Sequence, residues 1–278
     1  MLRPFAQVDV FTDLPYRGNP VAVVLDGEGL GDDEMQRFAN WTNLSETTFV
    51  LPPQAAGADY RVRIFTGARE LPFAGHPTLG TCHAWLEAGG TPRRAGEIVQ
   101  ECPAGLVTVR QSDSGLAFAA PPRLREGPVD EPLARRIAGV LRISRSDIVD
   151  LQWADNGPGW VAVLLASADA VLALRPGDVG DLDVGVAGLY PPGSPAALEV
   201  RALFSKGDGT SAEDPVTGSL NASLAQWLIA TGRVSAPYVA SQGTVLGRRG
   251  RVHISGDSDG QVWVGGGTIT CISGSVAL

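Results

Sequence analysis

Cysteine is scarce in this chain of 278 residues: there are three, Cys82, Cys102 and Cys271. They lie far apart and are odd in number, which excludes a disulfide framework and a cysteine metal site. Neither His-x-x-x-His nor Cys-x-x-Cys occurs, so no metal is expected. No Gly-x-Gly-x-x-Gly opens a helix and no phosphate-loop lysine motif is present, which removes the nucleotide-binding signatures. Ser219 has no obvious partners for a hydrolase triad. A basic surface is missing too. The net charge of -8 argues against a nucleic-acid partner. The tight basic cluster of Arg248, Arg249 and Arg251 flanks Gly250 in what reads as a solvated hairpin turn. No apolar run is long enough to span a bilayer, and the N-terminal stretch lacks a signal-peptide core. A soluble, cytoplasmic protein without a membrane partner is expected.

Composition is otherwise that of a globular chain with a substantial core: 44% hydrophobic and 19% charged residues. Gly 35 and Pro 20 imply frequent turns and short elements. The most informative positive feature is an internal repeat. Glu70-Leu-Pro-Phe-Ala-Gly-His-Pro runs into a helical segment over 78–87, and Glu213-Asp-Pro-Val-Thr-Gly-Ser runs into another over 220–229. Both segments carry Trp-Leu in their last turn, Trp85-Leu86 and Trp227-Leu228, with Gly90 and Gly232 just beyond. The following strands echo each other through turns at Ser112-Asp113-Ser114 and Asp257-Ser258-Asp259. A repeat of half the chain predicts two similar half-structures, about 1–120 and 121–278, facing each other. Two polar, Gly-containing helix entries aimed at one cleft would suit an anionic small molecule.

Periodicity predicts strands over 5–11, 21–25, 46–51 and 60–65, and a helix opening at Asp32-Asp33 and ending near Asn43. Pro77 suits the first turn of the first central helix, whose buried stripe is Leu79, Cys82 and Leu86. The Pro-rich stretch 121–128 reads as a linker. Beyond it come a helix over 131–140, strands near 160–165, 185–190 and 198–204, and a short helix over 169–174. The segment 238–278 reads almost wholly as strand, which leaves room for the last strand to cross back onto the first half. The fold class is α+β: two pseudo-symmetric halves, each a mostly antiparallel sheet wrapped round one central helix.

Three side chains stand out as carriers of chemistry. His76 sits at the mouth of the first central helix, where the helix dipole favours a neutral ring able to exchange a proton; equally, it could be a capping histidine. Asp214 precedes a proline, so its carboxylate is presented from a turn. Asp-Pro starts many ordinary turns, and Thr217 or Ser219 could be a plain N-cap. Glu46 begins an apolar strand; that position suits a solvated edge residue or, in a dry cleft, a general base. His83 and His253 read as structural.

At these positions the sequence resembles the PhzF family of phenazine biosynthesis-like isomerases. The matching stretches are Val8-Asp-Val-Phe-Thr, Gly18-Asn-Pro-Val-Ala-Val, Asn43-Leu-Ser-Glu-Thr-Thr-Phe-Val, Arg63-Ile-Phe-Thr, Glu70 to Gly80, Glu213-Asp-Pro-Val-Thr-Gly-Ser and Gln242-Gly. The resemblance implies a diaminopimelate-epimerase-like fold and proton transfer without any cofactor. It implies Glu46 as the main acid/base, with His76 and Asp214 joining it, and Gly75, His76, Gly218 and Ser219 as donors to a substrate carboxylate. A homodimer is the assembly to look for. The cysteines fall away from both helix mouths, which disfavours a two-cysteine racemase. The competing readings are a non-catalytic metabolite-binding protein, an epimerase of a different small acid, and a hydrolase or lyase using Glu46 toward water.

Overall fold

A computed structural model describes every residue except 113, 207 and 208. Asp113, in one of the two matched turns, therefore lies outside the described residues. The chain forms two compact units, Met1–Ala119 with Gly265–Leu278, and Ala120–Val264.

The first unit opens with strand β1 (Leu2–Val10), which stops where Phe11 turns to a φ of 63°. β2 (Asn19–Val24) returns antiparallel to it. Helix α1 (Asp32–Thr42) follows. Asp32, Asp33 and Glu34 lie at its positive end, and Asn43 closes it in the left-handed region with φ 55°. α1 buries Met35 and Ala39 beside Phe49 and Phe65, whose rings meet edge to face at 5.7 Å. β3 (Glu46–Leu51) runs parallel to β2, and β4 (Tyr60–Phe65) runs antiparallel to β3. A two-residue strand, β5 (Glu70–Leu71), turns back on β4 and leads into helix α2 (Gly75–Glu87). β6 (Glu97–Cys102) is parallel to β4; β7 (Gly105–Ser112) and β8 (Gly115–Ala119) continue antiparallel.

α2 is apolar nearly all round and is buried accordingly, packing on β1, β2, β3 and β8. Gly80 explains how closely it sits. A Cβ there would stand 2.3 Å from Val21 Cγ1 and 3.0 Å from Val10 Cγ2. The helix begins at Gly75, three residues before the expected start, because Pro77 fits the first turn without interrupting it. Leu79 and Cys82 of the expected stripe are fully buried, whereas Leu86 is only partly so.

The second unit repeats this plan. β9 (Arg125–Pro128) lies within the stretch expected to be a linker; it pairs with β10 (Ile148–Asp155), and Arg125 stacks over the Trp153 ring at 3.4 Å. β10 itself is not marked by clear alternation. Helix α3 (Glu131–Leu141) is capped by Asp130, which accepts from Leu133 N at 2.9 Å. β11 (Trp160–Leu165) pairs antiparallel with β10, and the short helix α4 (Ala168–Ala173) follows it. β12 (Asp183–Leu189) is parallel to β11, and β13 (Leu198–Ser205) is antiparallel to β12. β14 (Ser211–Asp214) turns back on β13 and leads into α5 (Gly218–Ala230). β15 (Tyr238–Gln242) is parallel to β13, β16 (Gly250–Gly256) is antiparallel to β15, and β17 (Val262–Gly266) follows. The final strand, β18 (Thr268–Ala277), belongs to the first unit, where it pairs antiparallel with β1 from Leu2 to Val10. The fold is α+β, as the sequence predicts.

Pairing by pairing, β2–β3–β4–β5–α2–β6–β7 and β11–β12–β13–β14–α5–β15–β16 follow one scheme. Both short strands are clasped in the same way. Arg63 on β4 grips Glu70 through Nε (2.7 Å) and Nη2 (2.6 Å). Arg201 on β13 grips Glu213 through Nε (2.9 Å) and Nη2 (2.7 Å). Each clasp fixes the segment that feeds a central helix.

Candidate active site

In the first unit, Glu46 is the first residue of β3 and pairs in register with Val21. His76 is the second residue of α2. The structure brings them together: Glu46 Oε2 lies 3.3 Å from His76 Nε2, with side chains 15% and 6% exposed. Nε2 makes no hydrogen bond of good geometry in this arrangement, so it keeps capacity for another partner. Burial pushes the His76 pKa down to about 3, and the Pro20 carbonyl, which accepts from the ring, acts in the opposite direction. The ring is therefore neutral near pH 7. Asn19, fully buried at the start of β2, places its Nδ2 3.4 Å from His76 Nδ1.

Local chemistry holds this arrangement. Asp9 Oδ2 accepts from Arg17 N (2.7 Å) and Gly18 N (2.9 Å), fixing the turn before Asn19. Gly18 is required there, since a Cβ would stand 2.1 Å from the Val10 carbonyl oxygen. The entry of α2 carries no side-chain cap from Ala74, so the first amides, with Gly75 and His76 among them, point from a positive helix end.

Asp214 belongs to the second unit and ends β14. Its Oδ2 accepts from Thr217 Oγ1 at 2.5 Å. Thr217 occupies the N-cap position of α5, yet its hydroxyl does not cap that helix. Gly218 and Ser219 are the first two residues of α5, equivalent to Gly75 and His76 of α2. Ser219 is partly exposed; its Oγ accepts from Trp160 Nε1 (3.1 Å) and its carbonyl from Asn156 Nδ2 (2.9 Å). Gln242 is fully buried beneath this entry and bonds to Thr217 and Asn221.

Asn19, Thr217 and Gln242 were not singled out as functional from the sequence. Asn19 and Gln242 do lie in stretches that carry the family resemblance, Gly18-Asn19-Pro20 and Gln242-Gly243. His83, read as structural, contacts Thr268 Oγ1 at 3.0 Å and Thr270 Oγ1 at 3.1 Å. It lines a cavity of about 360 Å³ with Glu87 and Gln111, and none of the candidate residues lines that cavity. Cys82 is buried inside α2, and burial pushes its thiol up to about 12, far from a reactive thiolate. Among the described residues no cluster of His, Cys, Asp and Glu suits a metal ion, and no helix is long and apolar enough to cross a membrane.

Three comparisons bear on this arrangement. The sequence model of the phenazine biosynthesis-like (PhzC-PhzF) family matches residues 8–274. Among curated relatives, antisense-enhancing sequence 1 of Schizosaccharomyces pombe is 35% identical, covering 97% of each chain. The trans-2,3-dihydro-3-hydroxyanthranilate isomerase of Pseudomonas fluorescens is 36% identical, covering 87% of this chain and 86% of its own. Among solved structures, a Bacillus anthracis phenazine biosynthesis protein of the PhzF family superposes with a TM-score of 0.84 over 100% of both chains, at 23% identity, which is a likeness of fold.

Proposed function

Since the chain belongs to the phenazine biosynthesis-like PhzF family and is an isomerase, we propose that it moves a proton within a small carboxylate-bearing metabolite, using its own side chains and no cofactor. The observation that carries this reading is the 3.3 Å approach of Glu46 to a buried, neutral His76 at the uncapped entry of α2. In the proposed reaction the Glu46 carboxylate takes a proton from a substrate carbon and becomes a carboxylic acid. It then returns that proton to another carbon of the same molecule. No electrons leave the substrate, and Glu46 ends as it began. His76, neutral throughout, holds the substrate by a hydrogen bond beside the moving proton. Negative charge that builds on the substrate is stabilised by backbone amides at a helix entry, Gly75 in the first unit, with Gly218 and Ser219 as the matching positions of the second. Asp214, in the second unit, is proposed as a further proton-handling group. A cytoplasmic homodimer is the proposed working form.

The first compound to test is trans-2,3-dihydro-3-hydroxyanthranilate, the substrate in the name of the 36% identical relative. Glu46→Gln keeps the shape and removes the base, and its turnover should fall on the order of a hundredfold to ten-thousandfold. Affinity should change little, because the helix-entry donors remain. In deuterated water the wild-type product should carry deuterium at the new C–H position to the extent that the protonated Glu46 exchanges with solvent before it returns its proton. An unchanged rate in Glu46→Gln would remove Glu46 from the mechanism. Binding of the compound without turnover or label exchange would point to a metabolite-binding protein.

A further inference from the structure

The hydrogen bonds beneath the entry of α5 can be oriented without ambiguity. Thr217 N and Asn221 Nδ2 reach Gln242 Oε1 at 3.0 Å and 2.8 Å. A backbone N–H can only donate, so the amide oxygen of Gln242 faces it. Gln242 Nε2 therefore points the other way, where it donates to the Asp214 carbonyl (3.1 Å) and to Thr217 Oγ1 (3.0 Å). Because Thr217 Oγ1 receives that hydrogen, its own hydrogen is directed onward, to Asp214 Oδ2 at 2.5 Å. The chain Gln242 Nε2–H to Thr217 Oγ1–H to Asp214 Oδ2 has one direction, and it ends on an oxygen that must accept.

The internal repeat supplies a control. The matching strand β6 also sends a buried glutamine to its helix entry: Gln100 Nε2 donates to Thr78 Oγ1 at 2.9 Å. Yet where the second unit has Thr217 and Asp214, the first has Ala74 and Leu71. α2 nonetheless forms a 13-residue helix, the same length as α5. Gln100 is not the register equivalent of Gln242: it stands opposite Tyr60, which matches Leu198 opposite Ala240, two residues before Gln242. The hydroxyl-to-carboxylate arm has no counterpart at Ala74 and Leu71, and α2 forms without it.

We propose that Thr217, held by Gln242, is a positioning residue that keeps the Asp214 carboxylate ionised and aimed. Its meaning for catalysis rests on the reading of Asp214 given above. The charged groups on neighbouring elements are Arg201 and Glu213, which neutralise one another, Glu199, which accepts from Tyr190, Arg251, which donates to Ser241, and Arg248 beyond β15.

The test reads Asp214 directly. The protein is labelled with ¹³C at aspartate carboxyls, and the Asp214 signal is the one missing in Asp214→Asn. In Thr217→Val, which keeps the shape of the side chain, the carboxylate loses a hydrogen bond to its charged form. Its acid constant should weaken roughly tenfold to a hundredfold, the equivalent of one bond to a charged group. Thr217→Ser should restore the wild-type titration. Turnover of trans-2,3-dihydro-3-hydroxyanthranilate should follow, with kcat lowered in Thr217→Val, KM little changed, and recovery in Thr217→Ser. A role confined to folding would lower stability in Thr217→Val and leave the Asp214 titration where it was; that result overturns the proposal. Full turnover in Asp214→Asn would instead overturn the catalytic reading of Asp214, while the titration still reports on the hydrogen bond.

Discussion

His76 shows how one side chain couples the candidate site to folding. Its ring begins to take a proton only near pH 3 in the folded protein, against an ordinary value of 6.5, because burial penalises the charged form. Between these values the unfolded chain binds more protons than the folded one. The contribution to stability is therefore complete above about pH 6.5 and is lost as pH falls through that window. His76→Asn should flatten this dependence: the drop in urea midpoint between about pH 7 and about pH 5 should be smaller than in the wild type. An identical drop in both proteins would mean that the ring is not held neutral. Residue by residue, the sequence carries the chemical candidates but not their company. Glu46 alone looks like a strand-edge glutamate, and His76 alone suits a cap as well as it suits a proton carrier. Only the parallel pairing of β2 with β3 sets Glu46 beside the mouth of α2. Thr217 shows the reverse: its position suggests a plain N-cap, and its hydroxyl turns to Asp214 instead.

The two clasps set the geometry of the helix entries at the scale of elements. The Arg201–Glu213 pair is nearly sealed, with side chains 7% and 11% exposed, whereas Arg63–Glu70 is 21% and 32% exposed. Removing one partner of a buried pair strands a charge and costs about 3–5 kcal/mol, while a solvated pair contributes about 1 kcal/mol or less. Arg201→Met should thus lower unfolding free energy in urea well beyond Glu70→Gln, and equal losses would contradict this ranking. Local patterns made most elements legible. α1 has acidic residues at its start and Asn43 at its end, and β3 and β4 have apolar runs bounded by turns. β9 was hidden by its prolines and glycine, since its partner β10 is contiguous with it only in space. The Arg63 and Arg201 clasps were likewise invisible, because each joins residues on two strands whose register is a tertiary fact.

The whole molecule has one discontinuity. β18 leaves the second unit behind and lies along β1 for its full length, from Leu2 opposite Ala277 to Val10 opposite Thr268. Deleting 268–278 should strip hydrogen-exchange protection from β1 and β2, while β11, β12 and β13 keep theirs. Loss of protection in both units alike would show that they unfold as one. This pairing also has a consequence for the order of events on the ribosome. Synthesis usually lets N-terminal units fold first, but here the first unit cannot close until the last strand has emerged. The second unit, continuous from Ala120 to Val264, holds all its own strands before then. The half that is made first is the half that is finished last, and β1 must wait with an unpaired edge through nearly the entire translation of the chain.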